Sequence, residues 1–143
     1  MPYKYLDNIA IADAAFEAWA DTLEDMFIAA ADAALNVMVA DLNTISDRTQ
    51  KTIELRDDSL EMLLFNFLQE LIFYKDAEQL LLRIRKIHIK KNEKNFSLTA
   101  EAYGEPANPK KHDLVVDVKA VTLHRLKVEQ TADTWRATVV LDI

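Results

Sequence analysis

The sequence has no cysteine, one glycine and three prolines in 143 residues. Without cysteine there are no disulfides, no thiolate metal sites and no thiol nucleophile. Few glycines and prolines imply short connections, regular elements and few left-handed backbone positions. No apolar run approaches the roughly 18 residues of a membrane span, and no basic n-region precedes an apolar stretch. Neither a span nor a secretory signal is therefore expected, and the chain reads as cytosolic. Also missing are a Gly-rich phosphate loop, HExxH, GxSxG and an EF-hand loop. The three histidines, His88, His112 and His124, are isolated and lack metal-ligand partners at short spacing.

What is present is apolar and acidic. A hydrophobic content of 50% over this length fits one domain spanning residues 1–143, a size that buries about 70% of the unfolded surface. The net charge of −7 is unevenly spread: residues 1–74 carry four basic and fourteen acidic groups, and residues 75–136 carry thirteen basic and nine acidic. An acidic helical half and a mildly basic strand half result. Such a surface matches a phosphate backbone poorly. Docking to a basic protein is the easier reading, although an ordinary soluble surface accounts for the charge equally well.

Residues 3–6 read as a strand, and residues 9–20 as a longer one in which Ala10, Ala12, Ala14, Phe16 and Ala18 share a face and Asp13, Ala15 and Glu17 share the other. Capping patterns at Asp21 to Glu24 and Asp58 to Glu61 open amphipathic helices over residues 22–39 and from Asp58 to about Tyr74. In the second helix, Met62, Phe65, Ile72 and Phe73 lie outside the main apolar face of Leu60, Leu63, Leu64, Phe67, Leu68 and Leu71. That helix is either deeply buried or touches a partner. Residues 47–56 alternate as a strand polar enough for a sheet edge. The period of two returns over 80–91, 95–103, 116–129 and 133–143, with a turn at Asn92 to Lys94, a loop at 104–113 and a turn near Thr131. The predicted order is β-β-α-β-α-β-β-β-β, a two-layer α+β domain with two helices on mainly antiparallel sheet.

The last strand, TWRATVVLDI, stops on Asp142 and Ile143. The Asp142 side chain and the α-carboxylate of Ile143 bring together two groups with reference pKa values of about 3.9 and about 3.5. Two adjacent carboxylates repel unless a cation or basic side chain sits between them, so the ending reads either as a solvated terminus or as half of a hard-cation site. Lys119, flanked by Val118 and Ala120, either reaches solvent or meets an anion.

The segments IADAAFEAWADTLEDMF and LEMLLFNFLQELIF, Gly104 with Glu105, His112, VKAVTLH from Val118 to His124 and the terminal LDI resemble the archease family over nearly the whole chain. The chain departs from that pattern at Ala10 or Ala12, where many members have His, and at Ala15 and Ala20, where Gly is frequent. The resemblance implies an accessory protein of RtcB-type tRNA-splicing ligases. Such a protein accelerates ligase guanylylation, supports repeated turnover and broadens nucleotide use, and meets RNA only through the ligase. It also implies a metal site at Asp13, Asp142 and Ile143, the last through its terminal carboxylate. An all-oxygen set of this kind suits a hard cation, calcium first with magnesium or manganese as alternatives. Lys119 is a further activity candidate, followed by Glu17 and His112. Two other readings stay open: a general chaperone using the extra apolar face of the second helix, and a metal-dependent phosphoester hydrolase using the same carboxylates.

Overall fold

Thr22 and Ser59 each stand in extended backbone one residue before a helix and accept a hydrogen bond from the amide three residues on, at 3.1 Å from Asp25 and 3.2 Å from Met62. These hydroxyls satisfy amides that a helix start leaves free, so both caps fall one residue after the aspartates that open the two sequence patterns. The helices that follow are α1 (Leu23–Met38) and α2 (Leu60–Glu78). Helix α2 runs a turn beyond Tyr74 because Gln79 takes a left-handed conformation and its amide bonds to the Tyr74 carbonyl.

The computed structural model describes residues 2–6 and 13–143. Strands β1 (Tyr3–Leu6) and β2 (Asp13–Ala20) precede α1, and β3 (Thr49–Asp57) lies between the helices. After α2 come β4 (Leu80–Lys91), β5 (Phe96–Pro106), β6 (Ala120–Val121), β7 (Lys127–Thr131) and β8 (Thr134–Asp142). Residues 9–12 of the predicted second strand, including Ala10 and Ala12, lie outside the described residues. The fold is α+β with antiparallel pairing throughout. Its strands form two sheets, one ordered β1-β2-β8-β6 with β7 also on β8, the other ordered β3-β5-β4 with β3 at an edge.

Both helices contact both sheets. Helix α1 packs on β1, β2 and β8 and also on β4, while α2 packs on β3, β4 and β5 and also on β6 and β7. One hydrophobic cluster joins them, with Phe16, Val139 and Leu141 contributed by the first sheet and Ile53, Leu98 and Ala100 by the second. Phe27 and Phe67 meet at 5.7 Å between ring centroids and link the helices. No helix among the described residues is long and apolar enough to cross a membrane.

Two strand predictions change. The predicted strand over 116–129 is β6 and β7 separated by a turn in which Arg125 has φ 57° and the Leu126 amide bonds to the Leu123 carbonyl at 3.3 Å. Both Val118 and Val121 are buried, and an odd spacing cannot place two side chains on one face of a regular strand. In β4, Ile84 faces Ala102 and Lys86 faces Glu101, which leaves Arg85 as the extra residue of a bulge. The bulge lets Leu82 and Ile84 before it, and Ile87 and Ile89 after it, all join the core.

The single glycine is not a left-handed residue. Among the described residues the positive-φ positions are Gln79, Arg125 and Ala132, each tolerated at a cost of roughly 1–2 kcal/mol. Gly104 sits inside β5 where the backbone of β4 comes too close for a side chain: a Cβ there would lie 1.7 Å from the Leu81 carbonyl oxygen. The clash is with backbone and cannot be relieved by a rotamer change. Gly104→Ala should therefore destabilise by about 3 kcal/mol or more, measured as the urea midpoint of unfolding. A midpoint equal to the parent's would contradict the close approach.

Candidate functional site

Strand β8 pairs with β2 on one edge and with β6 on the other, and the register sets Asp142 opposite Asp13 on one side and opposite Ala120 on the other. Ala137, Val139 and Leu141 of β8 are buried in the core, so the alternation of a strand turns Asp142 to the opposite sheet face. Asp13 is on that same face, since Phe16 and Ala18 of β2 belong to the core. Directly opposed cross-strand residues have Cβ atoms about 4.5–5.5 Å apart. Both aspartates are half-buried. Neither has an ion pair or a side-chain hydrogen bond among the described residues.

Two facing carboxylates without a basic partner repel each other, and a cation between them removes that penalty. The donors are all oxygen, which fits a hard divalent ion of the calcium or magnesium type. No third His, Cys, Asp or Glu joins the pair among the described residues. Ile143 packs its side chain against the core, one residue beyond Asp142.

The other candidates lie at varying removes. The Lys119 amide donates to the Asp142 carbonyl at 2.8 Å, which places its backbone beside the aspartate pair. Its side chain is exposed and has no ion pair among the described residues. Glu17 shares the face of Asp13 but lies four residues along β2, about 13 Å at the usual rise. There it pairs with Arg136, whose guanidinium also stands over the Trp19 ring at 5.6 Å. That pairing engages Glu17 away from the aspartates.

His112 is buried, 1% exposed, and belongs to a different cluster. The Asn108 amide donates to Nδ1 at 2.9 Å, which leaves the ring proton on Nε2, where it faces Glu105 Oε2 at 2.9 Å. The same carboxylate oxygen accepts from the Ser46 amide at 2.9 Å and pairs with Lys111 Nζ at 2.6 Å. Glu105 is itself 3% exposed. The Lys111 ammonium and the Ser46 amide, helped by His112 and opposed by burial, hold its pKa down at about 2. The cluster ties residues 105–112 to the chain at Ser46. His112 is here a buttress, at a position where sequence spacing offered only an isolated loop histidine.

Sequence reasoning also missed Gln69 and Glu61, which reach from α2 to the amides of Val121 and Val128 and so fasten β6 and β7. Lys75 likewise bonds the Val118 carbonyl at 2.8 Å and the Asp117 carboxylate at 2.6 Å. Each of these contacts joins residues far apart in the chain and leaves no local pattern: Glu61 showed only as part of a capping pattern, and Gln69 and Lys75 only as polar residues on an apolar helix.

The Archease protein family (MTH1598/TM1083) matches residues 3–143. The chain belongs to the archease family. It is 39% identical to the Protein archease of Pyrococcus abyssi over 133 residues, covering 92% of this chain and 93% of that one. Identity to the archease of Methanopyrus kandleri is 34% over 143 residues, with both chains covered in full. The solution structure of Methanobacterium thermoautotrophicum protein 1598 superimposes with a TM-score of 0.85 at 30% identity, covering 99% of each chain. An archease from Thermotoga maritima, described as a possible chaperone, shares the fold at a TM-score of 0.55 and 19% identity, covering 94% of this chain and 93% of that one.

Because Glu105 has a depressed pKa, its contribution to stability is present above the ordinary carboxylate value of 4.5 and is lost as pH falls through about 2. Glu105→Gln should lower Tm at neutral pH and flatten the fall in Tm across that acid window. Parallel Tm curves for parent and variant would show that the Glu105 charge does not hold this cluster.

Proposed function

We propose that this archease-family chain is a non-catalytic activator of an RtcB-type tRNA-splicing ligase, promoting ligase guanylylation and multiple turnover in cytoplasmic tRNA splicing and RNA repair. One observation supports it above others: two opposed carboxylates at the end of a sheet, with no ion pair among the described residues, in a chain with no thiol nucleophile, no GxSxG motif and no Gly-rich nucleotide loop. A hydrolase using the same carboxylates would need a general base beside them, and His112 and Glu17 are engaged elsewhere. On this reading the whole chain, residues 1–143, acts as one domain that presents the aspartate end to the ligase and meets RNA only through it.

Asp13, Asp142 and the main-chain carboxyl of Ile143 would hold the divalent ion, calcium first and magnesium or manganese as alternatives. When bound, the ion supplies concentrated positive charge at the sheet end. The chain's own residues supply the rest. Strand β8 fixes the spacing of the two carboxylates, the Ile143 side chain anchors the last residue to the core, and Lys119 offers a solvent-facing ammonium beside them for an anionic group on the ligase or its nucleotide.

A second reading, a general chaperone, draws on the exposure of Met62 at 36% and Phe73 at 55% on α2. It requires suppression of aggregation of unrelated proteins by variants that lack the aspartates.

The test is ligation of a halved tRNA by the cognate ligase at substoichiometric enzyme, with and without this chain. The parent should raise the number of turnovers. Asp13→Ala and Asp142→Ala should each lose stimulation by about tenfold or more while keeping the fold. Lys119→Ala should reduce stimulation, and Lys119→Arg should restore it only in part because the two cations differ in shape. Aspartate variants that stimulate like the parent would sink the proposal.

A further inference from the structure

Between the Glu105 cluster and β6, the chain from Asp113 to Lys119 uses only one of its two edges at Leu114. The Ala40 amide donates to the Asp113 carbonyl at 2.9 Å and the Val115 amide to the Met38 carbonyl at 2.8 Å, forming an antiparallel bridge between Val39 and Leu114. Backbone groups alternate sides along a strand, so at this bridge the N–H and C=O of Leu114 face away from Val39. The amides of Leu114 and Val116 have no partner among the described residues. An unpaired edge of this kind is a template for another strand.

The side chains on this stretch are also unusual. Leu114, Val115 and Val116 are exposed to 41%, 60% and 41%. They line an open cleft of about 520 Å³ together with the buried Met38 and Leu81. Asp76 and Asp117 line it too, and their side chains are 56% and 66% exposed. Both carboxylates contact the one ammonium of Lys75, so the rim keeps an excess negative charge. A second copy of a chain of net charge −7 is a poor electrostatic match for that rim. A basic strand is a good one.

We infer that this cleft docks an extended segment of a partner protein. The segment pairs its backbone with Leu114 and Val116, sets an aliphatic side chain into the cleft and brings a lysine or arginine to Asp76 and Asp117. Lys119 follows two residues after Asp117 and its amide bonds the carbonyl of Asp142, which faces Asp13 across the sheet, so a partner held here lies close to the aspartate end. The inference takes the partner to be a protein, as the proposed function does, but the cleft is tested separately from that reading.

The probe is an acetylated, amidated hexapeptide of alternating valine and lysine, titrated into the 15N-labelled protein. Amide shifts should concentrate at Leu114, Val116 and Asp117, and a matched valine–glutamate peptide should leave them unmoved. The surface variants Val116→Lys and Asp76→Lys should each weaken binding by about tenfold with circular dichroism unchanged. Absence of shifts at millimolar peptide, shifts centred elsewhere, or equal binding of the glutamate peptide would overturn the inference. So would concentration-dependent dimerisation of the parent that Val116→Lys abolishes, since a second copy would then occupy the cleft. In a second arm, interferometry measures binding to the immobilised ligase, where Val116→Lys should dissociate about tenfold faster than the parent. Equal ligase binding by both would remove the docking site and leave the proposed activation standing. A peptide that binds the cleft while the chain fails to stimulate the ligase would do the reverse.

Discussion

Strand β8 hydrogen-bonds to β2 along one edge and to β6 and β7 along the other, and the register of the first pairing decides what the molecule presents at one end. Eight consecutive pairs run from Ala20 opposite Trp135 to Asp13 opposite Asp142. The core face of this ladder buries Phe16, Ala18, Ala137, Val139 and Leu141. A slip of one residue would turn those side chains to the outer face, at a cost of roughly 1.5–3 kcal/mol for each large apolar group exposed. The same constraint holds Asp13 against Asp142. Repulsion between the two carboxylates cannot be relieved by sliding the strands, because the apolar face will not allow it. The core thereby holds two acidic side chains directly opposite each other on the outer face of the sheet.

Several acidic groups elsewhere are matched by a basic partner. Asp32, Asp47 and Glu17 from the acidic first half meet Arg83, Arg85 and Arg136 from the basic second half. The polarity seen along the sequence is therefore partly consumed between elements. Glu105 is the buried instance: three donors converge on one oxygen, which makes its burial sustainable. Against that background, two half-buried carboxylates without such partners stand out. From the Glu105 cluster the chain runs through Leu114, along Lys75 and into β6 beside Asp142, so the cleft and the aspartate pair are fastened to one continuous stretch.

Much of this was legible in the sequence. Period-two alternation around Phe16 correctly turned Asp13 away from the core, and the helices followed from apolar spacing and short polar caps. What escaped had physical reasons. Gly104 read as the start of a loop because glycine usually marks a break, yet it lies within β5 to admit the backbone of β4. The turn at Arg125 and the end of α2 at Gln79 were hidden because non-glycine residues took the left-handed positions. Nothing in local sequence could show that His112 serves Glu105, since that contact joins a loop to the end of β5 and depends on Ser46, far away in the chain. The opposition of Asp13 and Asp142 is a product of register, which no pattern within either strand states.

On the proposed function, the aspartate pair is strained without a cation and relieved by one. Thermal unfolding of the parent and of Asp142→Asn, each with and without calcium, tests it most directly. Asparagine keeps the shape and removes one charge, so without calcium the variant should be the more stable protein. Calcium at a hundredfold excess over its Kd should stabilise the parent by about 2.7 kcal/mol, a rise of roughly 5–10 °C in Tm for a chain of this size, and should leave the variant nearly unchanged. If the parent and Asp142→Asn melt at the same temperature in both conditions, the two carboxylates neither repel nor hold an ion, and the account fails.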